Sequence, residues 1–405
     1  MSGGYLEVLR TAGALRVFVP ALIGRLSFAM VTLVLLFAVQ RSTDSFAIAG
    51  AAIGAFGLAN VIASPHRARF VDRRGQRFAL NSLAIAFAAG LSGLAALTAQ
   101  SGPPAGVLIG LAAVVGLFPP PLGASMRVLW GSITMPGALR TKAYSVDAVC
   151  EELLFTTGPL IAAAIVGAAS PTIGLLATAL VAVVGTLGMT SSSLSRGRVA
   201  VAASPRKRSR PLRQKGFIPV LIALLGVGVL LGTVEVVAPA VADTHGSVGL
   251  AGILLASFAA GSAVGGLLYG RRAWRSSLVN RLIILGTVMT VLCALLTTIG
   301  SFAVLGFGLA AVGFFLAPSL VTGYLLADDL TAAEVRTEAS SWINTAVNAG
   351  AAVAAAIVGF AVDGVEPRLG FIIGAGMALT LVVAASVPLL RNSRPAAVTD
   401  PVQSE

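Results

Sequence analysis

The sequence predicts an all-α integral membrane protein whose twelve transmembrane helices form two pseudo-symmetric six-helix bundles. Three observations predict it: the composition, the spacing of apolar segments and the distribution of basic residues. Of the 405 residues, 57% are hydrophobic and only 11% are charged, whereas a soluble chain carries roughly a quarter charged residues. The 46 glycines favour helices that pack through small residues, because lipid supplies no hydrophobic force to draw helices together.

The apolar segments are long enough to span a membrane, which takes about 20 residues for roughly 30 Å of hydrocarbon. Twelve segments in succession exclude a soluble core. They lie near residues 16–40, 45–65, 78–99, 105–131, 143–168, 171–190, 217–243, 247–270, 278–300, 303–327, 338–362 and 369–390. The chain is therefore divided into an N-terminal bundle, a basic linker, a C-terminal bundle and a disordered tail, at residues 1–190, 191–216, 217–390 and 391–405.

The basic residues predict an orientation. If both termini are cytoplasmic, the gaps between spans that face outward contain only Arg41 and Arg368, in agreement with the positive-inside rule. We therefore expect a multi-pass protein of the plasma (cell inner) membrane with both termini in the cytoplasm. The net charge of +12 is concentrated in cytoplasmic segments, and the linker is expected to be a flexible tether that touches anionic lipid headgroups. Nucleic-acid binding is not expected, because the basic segments lack interleaved aromatic residues.

A repeated basic loop relates the two halves. An offset of 198 residues superposes Arg73-Arg74, after the second span, on Arg271-Arg272, after the eighth span. The first of these loops, Asp72-Arg73-x-Gly75-x-Arg77, resembles the signature loop of the major facilitator superfamily. The chain departs from that pattern at Ala68, where the family has Gly, and at Gln76, where a basic residue is usual.

The resemblance implies a secondary transporter that works by alternating access, usually as a monomer, on a small-molecule substrate. In span 5, Gly158-Pro159 resembles half of the motif that marks drug-type antiporters, which favours export. A proton gradient would then supply the energy, with no cofactor. Arg127-x-x-x-Gly131 is similar to the family's arginine motif in helix 4, but Arg127 lies only 13 residues before Arg140 of the cytoplasmic loop. We therefore interpret it as a charge near the cytoplasmic end, paired with Asp147 or with the Asp72 loop.

Charged residues inside the spans are the first candidates for function, because they are costly in lipid and usually face a partner or a cavity. Arg25 and the pair Glu151-Glu152 lie about ten residues into spans 1 and 5, or ~15 Å deep. Since helices 1 and 5 are neighbours in the superfamily fold, one glutamate can pair with Arg25. Burial disfavours the charged form of the other glutamate, which can then carry a proton. A permanent ion pair that only locks the N-terminal half is the alternative.

Further candidates come from spans 7 and 11. Glu235 has no basic residue nearby in sequence and can bind a proton or a cationic substrate, unless it is simply a hydrated residue of the outer mouth. Ser341, Thr345 and Asn348 share one face of span 11 with Asn344 beside it. These four residues either bind substrate or hold helices together.

Two features predict how the protein changes conformation. Pro119-Pro120-Pro121 breaks span 4 and frees backbone carbonyls, either as a packing kink or as a gating hinge. Asp72, Arg73 and Arg77 are expected to form a cytoplasmic charge cluster that latches the two halves together in one state, with Arg127 and Asp147 as further members of the cytoplasmic gate.

Three functions stay open on the sequence. The first is proton-coupled efflux of a small amphipathic molecule (a drug, a sugar or a metabolite), with Glu151, Glu152 or Glu235 as the coupling residue. The second is uptake of a polar or anionic solute, with Arg25 as its anchor, and the third is a sensor without transport on the same fold. An enzyme is not expected, because no nucleophile set, phosphate loop or cofactor motif is present, and two distant histidines do not favour a metal site.

Overall fold

The computed structural model describes residues 5–44, 46–100, 103–196, 210–243, 248–364 and 367–392, and within them it contains sixteen α-helices and no strand. The helices are α1 (Tyr5–Arg10), α2 (Ala14–Thr43), α3 (Phe46–Arg74), α4 (Gln76–Thr98), α5 (Ala105–Gly116), α6 (Leu122–Ile133), α7 (Ala138–Ala168), α8 (Pro171–Ser191), α9 (Ser193–Arg196), α10 (Phe217–Asp243), α11 (Val248–Arg271), α12 (Leu278–Leu295), α13 (Phe302–Gly313), α14 (Leu316–Leu330), α15 (Arg336–Gly364) and α16 (Leu369–Asn392). Short 3₁₀ turns occur at Pro211–Arg213, Leu296–Thr298 and Ala333–Val335.

The predicted all-α membrane fold is confirmed. Ten elements in the described chain are long and apolar enough to cross a membrane, when α13 and α14 are counted as one. The helix α3 and the pair α5–α6 correspond to the two remaining predicted spans. The helix α3 is less apolar than the other spans because it continues into a basic segment. The helix α5 is shorter because it ends at a cluster of prolines.

The second span was predicted to end near residue 65, whereas α3 continues to Arg74. The residues after Pro65 are mostly polar or basic, so their hydropathy no longer resembles that of a membrane span. The helix continues because Ala68 and Val71 are buried against the rest of the molecule. It ends at Gly75, whose φ of 81° is a conformation that residues with a Cβ rarely adopt.

Two spans are broken. The predicted break in span 4 is confirmed, since α5 ends at Gly116 and α6 begins at Leu122, on either side of the three prolines. A second break, between α13 and α14, was not predicted. Pro318 explains it, because a proline has no N–H to donate to the carbonyl of Phe314 four residues earlier.

Small residues let neighbouring helices approach closely within each half. The backbones of Gly24 in α2 and Gly185 in α8 touch, so a Cβ on Gly185 would meet the backbone of Gly24. In the other half, a Cβ on Gly232 of α10 would meet the backbone of Ala351 in α15. These contacts are the glycine-mediated packing that the composition predicts. Helices α2–α8 form the N-terminal bundle and α10–α16 the C-terminal bundle.

Arg196 and Arg210 are the described residues on either side of 197–209, in the middle of the linker. We call the end of the molecule where they lie the linker end. The turns between α3 and α4 and between α11 and α12 lie at the same end, because each of these helix pairs runs antiparallel there. The central part of the predicted linker, 197–209, and the tail from residue 393 lie outside the described residues.

Candidate functional site

A cavity of about 240 Å³ lies between the two bundles. The N-terminal bundle contributes residues of α2, α3 and α7 and the broken region around Pro120. The C-terminal bundle contributes residues of α10, α14 and α15. A cavity enclosed by both bundles is where a solute can contact both halves of the molecule.

Four charged side chains form a cluster on the N-terminal side of the cavity, and two of them, Arg25 and Glu151, line it. Arg25 lies 2.8 Å from Asp147 and 2.8 Å from Glu151. Arg127 lies 2.5 Å from Glu151 and 3.3 Å from Asp147. Arg127 and Asp147 are each only 1% exposed. We refer to these four residues as the buried charge cluster, which contains two cations and two carboxylates and is therefore neutral as a whole.

Tyr324 of α14 connects this cluster to the C-terminal bundle. The guanidinium carbon of Arg127 lies 3.8 Å from the centre of the Tyr324 ring, a cation–π contact. The Tyr324 hydroxyl donates to Asn344 Oδ1 at 2.5 Å. A continuous set of contacts therefore runs from Glu151 through Arg127 and Tyr324 to Asn344 in α15.

Two carboxylates of the cavity differ from those of the buried charge cluster. Glu152 on α7 and Glu235 on α10 both line the cavity, and Glu235 is exposed there. Neither is in an ion pair with any residue that the structure describes. Phe28 and Phe155 lie beside them as an edge-to-face pair with ring centres 6.3 Å apart. Acidic and aromatic groups thus share one side of the cavity.

Arg67 of α3 lines the other side, and its environment follows from the break in span 4. Pro120 has no N–H to donate to the carbonyl of Gly116, four residues earlier. Arg67 Nη1 donates to that carbonyl instead, at 3.0 Å. Its Nη2 donates to the Asn60 side-chain oxygen at 2.7 Å. Arg67 is 7% exposed and is not paired with a carboxylate of the described chain.

Contacts between the two bundles close the cavity at the linker end. Arg69 of α3 forms two hydrogen bonds to the Glu338 carboxylate of α15, at 2.6 and 3.1 Å. Asp72 accepts a bond from the Glu338 backbone N–H at 3.1 Å. Closer to the cavity, Ser64 and Ser341 are hydrogen-bonded at 2.7 Å. These interactions join α3 to the start of α15.

A second set of contacts joins α7 to the end of α14. Tyr144 donates a short hydrogen bond to Asp328, and Arg140 lies 3.7 Å from the same carboxylate. Arg336, within the C-terminal bundle, lies 3.8 Å from the other oxygen of Asp328. We refer to the two sets together as the linker-end latch, with members Arg69, Asp72, Glu338, Tyr144, Arg140, Asp328 and Arg336.

The C-terminal half of the chain is similar in sequence to a known family. Residues 220–404 match the family model named Major Facilitator Superfamily, and the whole described chain has two bundles around a central cavity. The match covers the C-terminal bundle, so this half of the chain is similar in sequence to members of that superfamily. The chain is a multi-pass membrane protein with a transporter fold, and no curated protein matches its sequence.

Solved structures of transporters are similar over nearly the whole chain. The human organic anion transporter MFSD10 (TETRAN) superposes with a TM-score of 0.71 at 16% identity, over 95% of this chain and 100% of that one. A bacterial homologue of the iron transporter ferroportin, in an outward-facing state, superposes with a TM-score of 0.71 at 16% identity, over 94% of this chain and 99% of that one. The same homologue with soaked iron gives 0.69. At this identity the likeness concerns the fold.

Two pairings considered from the sequence are present in the structure. Arg25 pairs with Glu151, and the neighbouring Glu152 points elsewhere, as expected for adjacent residues about 100° apart on a helix. Arg127 pairs with Asp147, one of the two partners considered for it. The roles in coupling and gating that the sequence suggests for these residues remain predictions.

Three expectations need correction. Thr345 does not line the cavity, whereas Ser341, Asn344 and Asn348 do, because the cavity-facing stripe follows positions 341, 344 and 348. Arg73 and Arg77 are exposed and make no ion pair within the described chain, so Asp72 enters the latch with Arg69 instead. Arg127 and Asp147 belong to the buried charge cluster and not to the latch, because α6 carries Arg127 inward towards Arg25.

Sequence reasoning missed Arg67, Arg69, Glu338, Asp328 and Tyr324. The charged residues among them lie near predicted span ends, where basic and acidic side chains are usually hydrated. Their partners are distant in sequence, as with Arg69 and Glu338, which lie 269 residues apart. One signal was available for Arg67: the proline cluster predicts unsatisfied carbonyls, and a nearby arginine is a suitable donor.

Proposed function

We propose that the protein is a proton-coupled exporter of a small amphipathic molecule, with Glu152 and Glu235 as the residues that exchange a proton for substrate. It would act in the plasma membrane as a monomer surrounded by lipid, with both termini in the cytoplasm. The proton gradient would supply its energy without a bound cofactor. The buried charge cluster, which includes Glu151, would keep its charges paired throughout the cycle.

The observation that carries this proposal is the contrast between the carboxylates of the buried charge cluster and the two other carboxylates that line the cavity. Asp147 and Glu151 each contact two arginines, and their charge is compensated. Glu152 and Glu235 face the cavity beside Phe28 and Phe155 without an ion pair among the described residues. An ionisable group without a counter-charge in a membrane cavity is a candidate for binding a proton or a substrate cation.

The closed linker end fits one step of an export cycle. If the linker end is cytoplasmic, as the basic residues predict, the latch closes the cytoplasmic side of the cavity, as expected for an outward-facing state. An exporter in this state releases its substrate and takes up protons on the vacated carboxylates. The bundles then rock to the inward-facing state, where proton release allows new substrate to bind. The ferroportin homologue named above is likewise described in an outward-facing state.

The alternative of anion uptake anchored by Arg25 has less support. The Arg25 guanidinium contacts both Asp147 and Glu151, so its charge is already compensated before any substrate binds. MFSD10 is an organic anion transporter, and an anionic substrate is therefore among the outcomes to be tested. A sensor without transport would show no flux in the same assay.

Accumulation of a panel of lipophilic cations and anions in efflux-deficient cells tests the proposal. We expect cells that express the protein to accumulate less of at least one compound, and a protonophore should abolish the difference. Glu152→Gln and Glu235→Gln should each reduce export by tenfold or more, as for loss of an essential proton-transfer group (about 10²-fold). Glu7→Gln in α1, where the carboxylate is exposed, is the matched control.

Export that survives the protonophore would overturn proton coupling. Export that persists in both glutamate variants would overturn the assignment of the coupling residues. Increased accumulation of an anion, abolished by Arg25→Gln, would favour the uptake alternative.

A further inference from the structure

The polar groups of the cavity are divided between two walls. The acidic wall consists of Glu152 and Glu235 with Phe28 and Phe155. The other wall, which we call the donor wall, consists of Asn60, Arg67 and Asn344 and lies where α3 meets α15. The Ser64–Ser341 hydrogen bond fixes this meeting point, and Asn60 and Asn344 each lie one helical turn from it towards the cavity.

Hydrogen bonds inside the protein determine what the donor wall can offer to a ligand. The Asn60 side-chain oxygen already accepts from Arg67, and the Asn344 side-chain oxygen already accepts from Tyr324. Each amide therefore retains its NH₂ group, which can only donate. One of the two lone pairs on each amide oxygen is already engaged, so this wall offers more donors than acceptors to a ligand.

Arg67 adds charge to these donors. Two of its nitrogens are held by Gly116 and Asn60, while its Nε is buried without a hydrogen-bond partner. Satisfying a buried polar group of this kind is favourable, and a charged partner gives the stronger bond. The residue is held in place by bonds to neutral acceptors, so its positive charge is not compensated by a carboxylate, unlike that of Arg25 or Arg127.

Because the two walls have opposite chemistry, we propose that the substrate is a two-ended zwitterion. Its amine lies at the acidic wall, and its carboxylate, or a group of the same acceptor chemistry, lies at the donor wall. This inference rests on the proposed function, since it treats the cavity as the substrate site, and it adds a substrate class and a specificity-determining residue. Arg67 distinguishes the zwitterion from a simple organic cation.

Three small probes that share a ring and a chain test the proposal by equilibrium binding to the purified full-length protein. They are 2-phenylethylamine (a cation), phenylalanine (a zwitterion) and 3-phenylpropanoate (an anion). We expect phenylalanine to bind about tenfold more tightly than either one-ended probe, the gain expected for one hydrogen bond to a charged group. In Arg67→Gln, phenylalanine should no longer bind more tightly than 2-phenylethylamine. In Glu235→Gln, it should no longer bind more tightly than 3-phenylpropanoate.

Arg67→Lys and Arg275→Gln serve as companion variants. Lysine keeps the charge and the reach to Gly116 but lacks Nε, so it should fold and recover only part of the discrimination. Arg275 is exposed in the turn after α11, and its replacement should leave all three affinities unchanged. Melting temperatures of the variants would show whether each is folded.

Equal affinity of the protein for 2-phenylethylamine and phenylalanine would overturn the inference. So would an Arg67→Gln variant that loses affinity for these two probes by the same factor. Failure of all three probes to bind at their highest soluble concentrations would also overturn it. The proposed function is judged separately, by flux into proteoliposomes with and without a proton gradient. Arg67-dependent binding without proton-driven flux would refute only the proposed function, and proton-driven export of simple cations without preference for a zwitterion would refute only the inference.

Discussion

The buried charge cluster and the linker-end latch are both built from arginines and carboxylates, but they connect different parts of the molecule. Arg25, Arg127, Asp147 and Glu151 all belong to the N-terminal bundle. The latch, in contrast, joins the bundles through pairs such as Arg69–Glu338 and Tyr144–Asp328. When two bundles rock as rigid bodies, contacts within a bundle persist and contacts between bundles must break.

The difference predicts different consequences of mutation. A buried and fully paired cluster is expected to matter for stability, because removal of one partner leaves another charge buried without compensation. A latch that breaks in every cycle is expected to be weak enough to open, so its loss should alter the balance of conformations more than the free energy of unfolding.

The largest expected effect is that of Asp147→Asn. The variant leaves Arg25 and Arg127 to share Glu151, and we expect unfolding to become easier by about 3–5 kcal/mol. A fall in the melting temperature of the detergent-purified protein measures it. Asp44→Asn, at the exposed end of α2, is the control, and a fall no greater than that of this control would contradict the assignment.

Glu338→Gln should instead shift the conformational equilibrium. Arg69 is partly exposed, which weakens the pair by solvent screening, so we expect the open form to gain three- to tenfold, or about 1 kcal/mol. The readout is the alkylation rate of a cysteine at Ser341, which is 2% exposed beneath the latch, in a background without Cys150 and Cys293. Glu334→Gln, at an exposed neighbouring site, should leave the rate unchanged.

Tyr324→Phe tests the contact between the cluster and the C-terminal bundle. The phenylalanine ring can still lie beneath Arg127, and only the hydrogen bond to Asn344 is lost, with an expected cost of about 0.5–1.5 kcal/mol. Tyr324→Ala should cost more, because the cation–π contact and the packing are lost as well. Equal melting temperatures for the two variants would show that the ring contact contributes nothing.

The smallest effect is expected for Arg73→Gln and Arg77→Gln. Both side chains are exposed and make no ion pair with the described residues, so the unfolding free energy should change by less than about 0.5 kcal/mol. The alkylation rate at position 341 should also be unchanged. An increase in that rate comparable to that of Glu338→Gln would restore these arginines to the latch.

The sequence predicts the spans well because hydropathy is a local property. It also predicts the break at Pro119-Pro120-Pro121, because the effect of these prolines on the helix is local as well. It predicts that Arg25 pairs with Glu151 or Glu152, because these residues are charged, deep in a span and carried by helices that are neighbours in the resembled fold. The structure, and not the sequence, selects Glu151. Contacts such as Arg69–Glu338 depend on which helices of different bundles meet, which no local pattern encodes. The break before α14 was missed because it lies several residues before Pro318, the residue that causes it. Pro318 lacks the N–H that would bond the carbonyl of Phe314.

Distances between spin labels test the rigid-body account most directly. One pair, at Arg77 and Arg275, spans the bundles at the linker end, and the other, at Arg77 and Met135, lies within the N-terminal bundle; all three residues are exposed. In a background without Cys150 and Cys293, Glu338→Gln is predicted to populate longer Arg77–Arg275 distances while the Arg77–Met135 distribution stays the same. An unchanged first distance, or a parallel change in the second, would contradict the account.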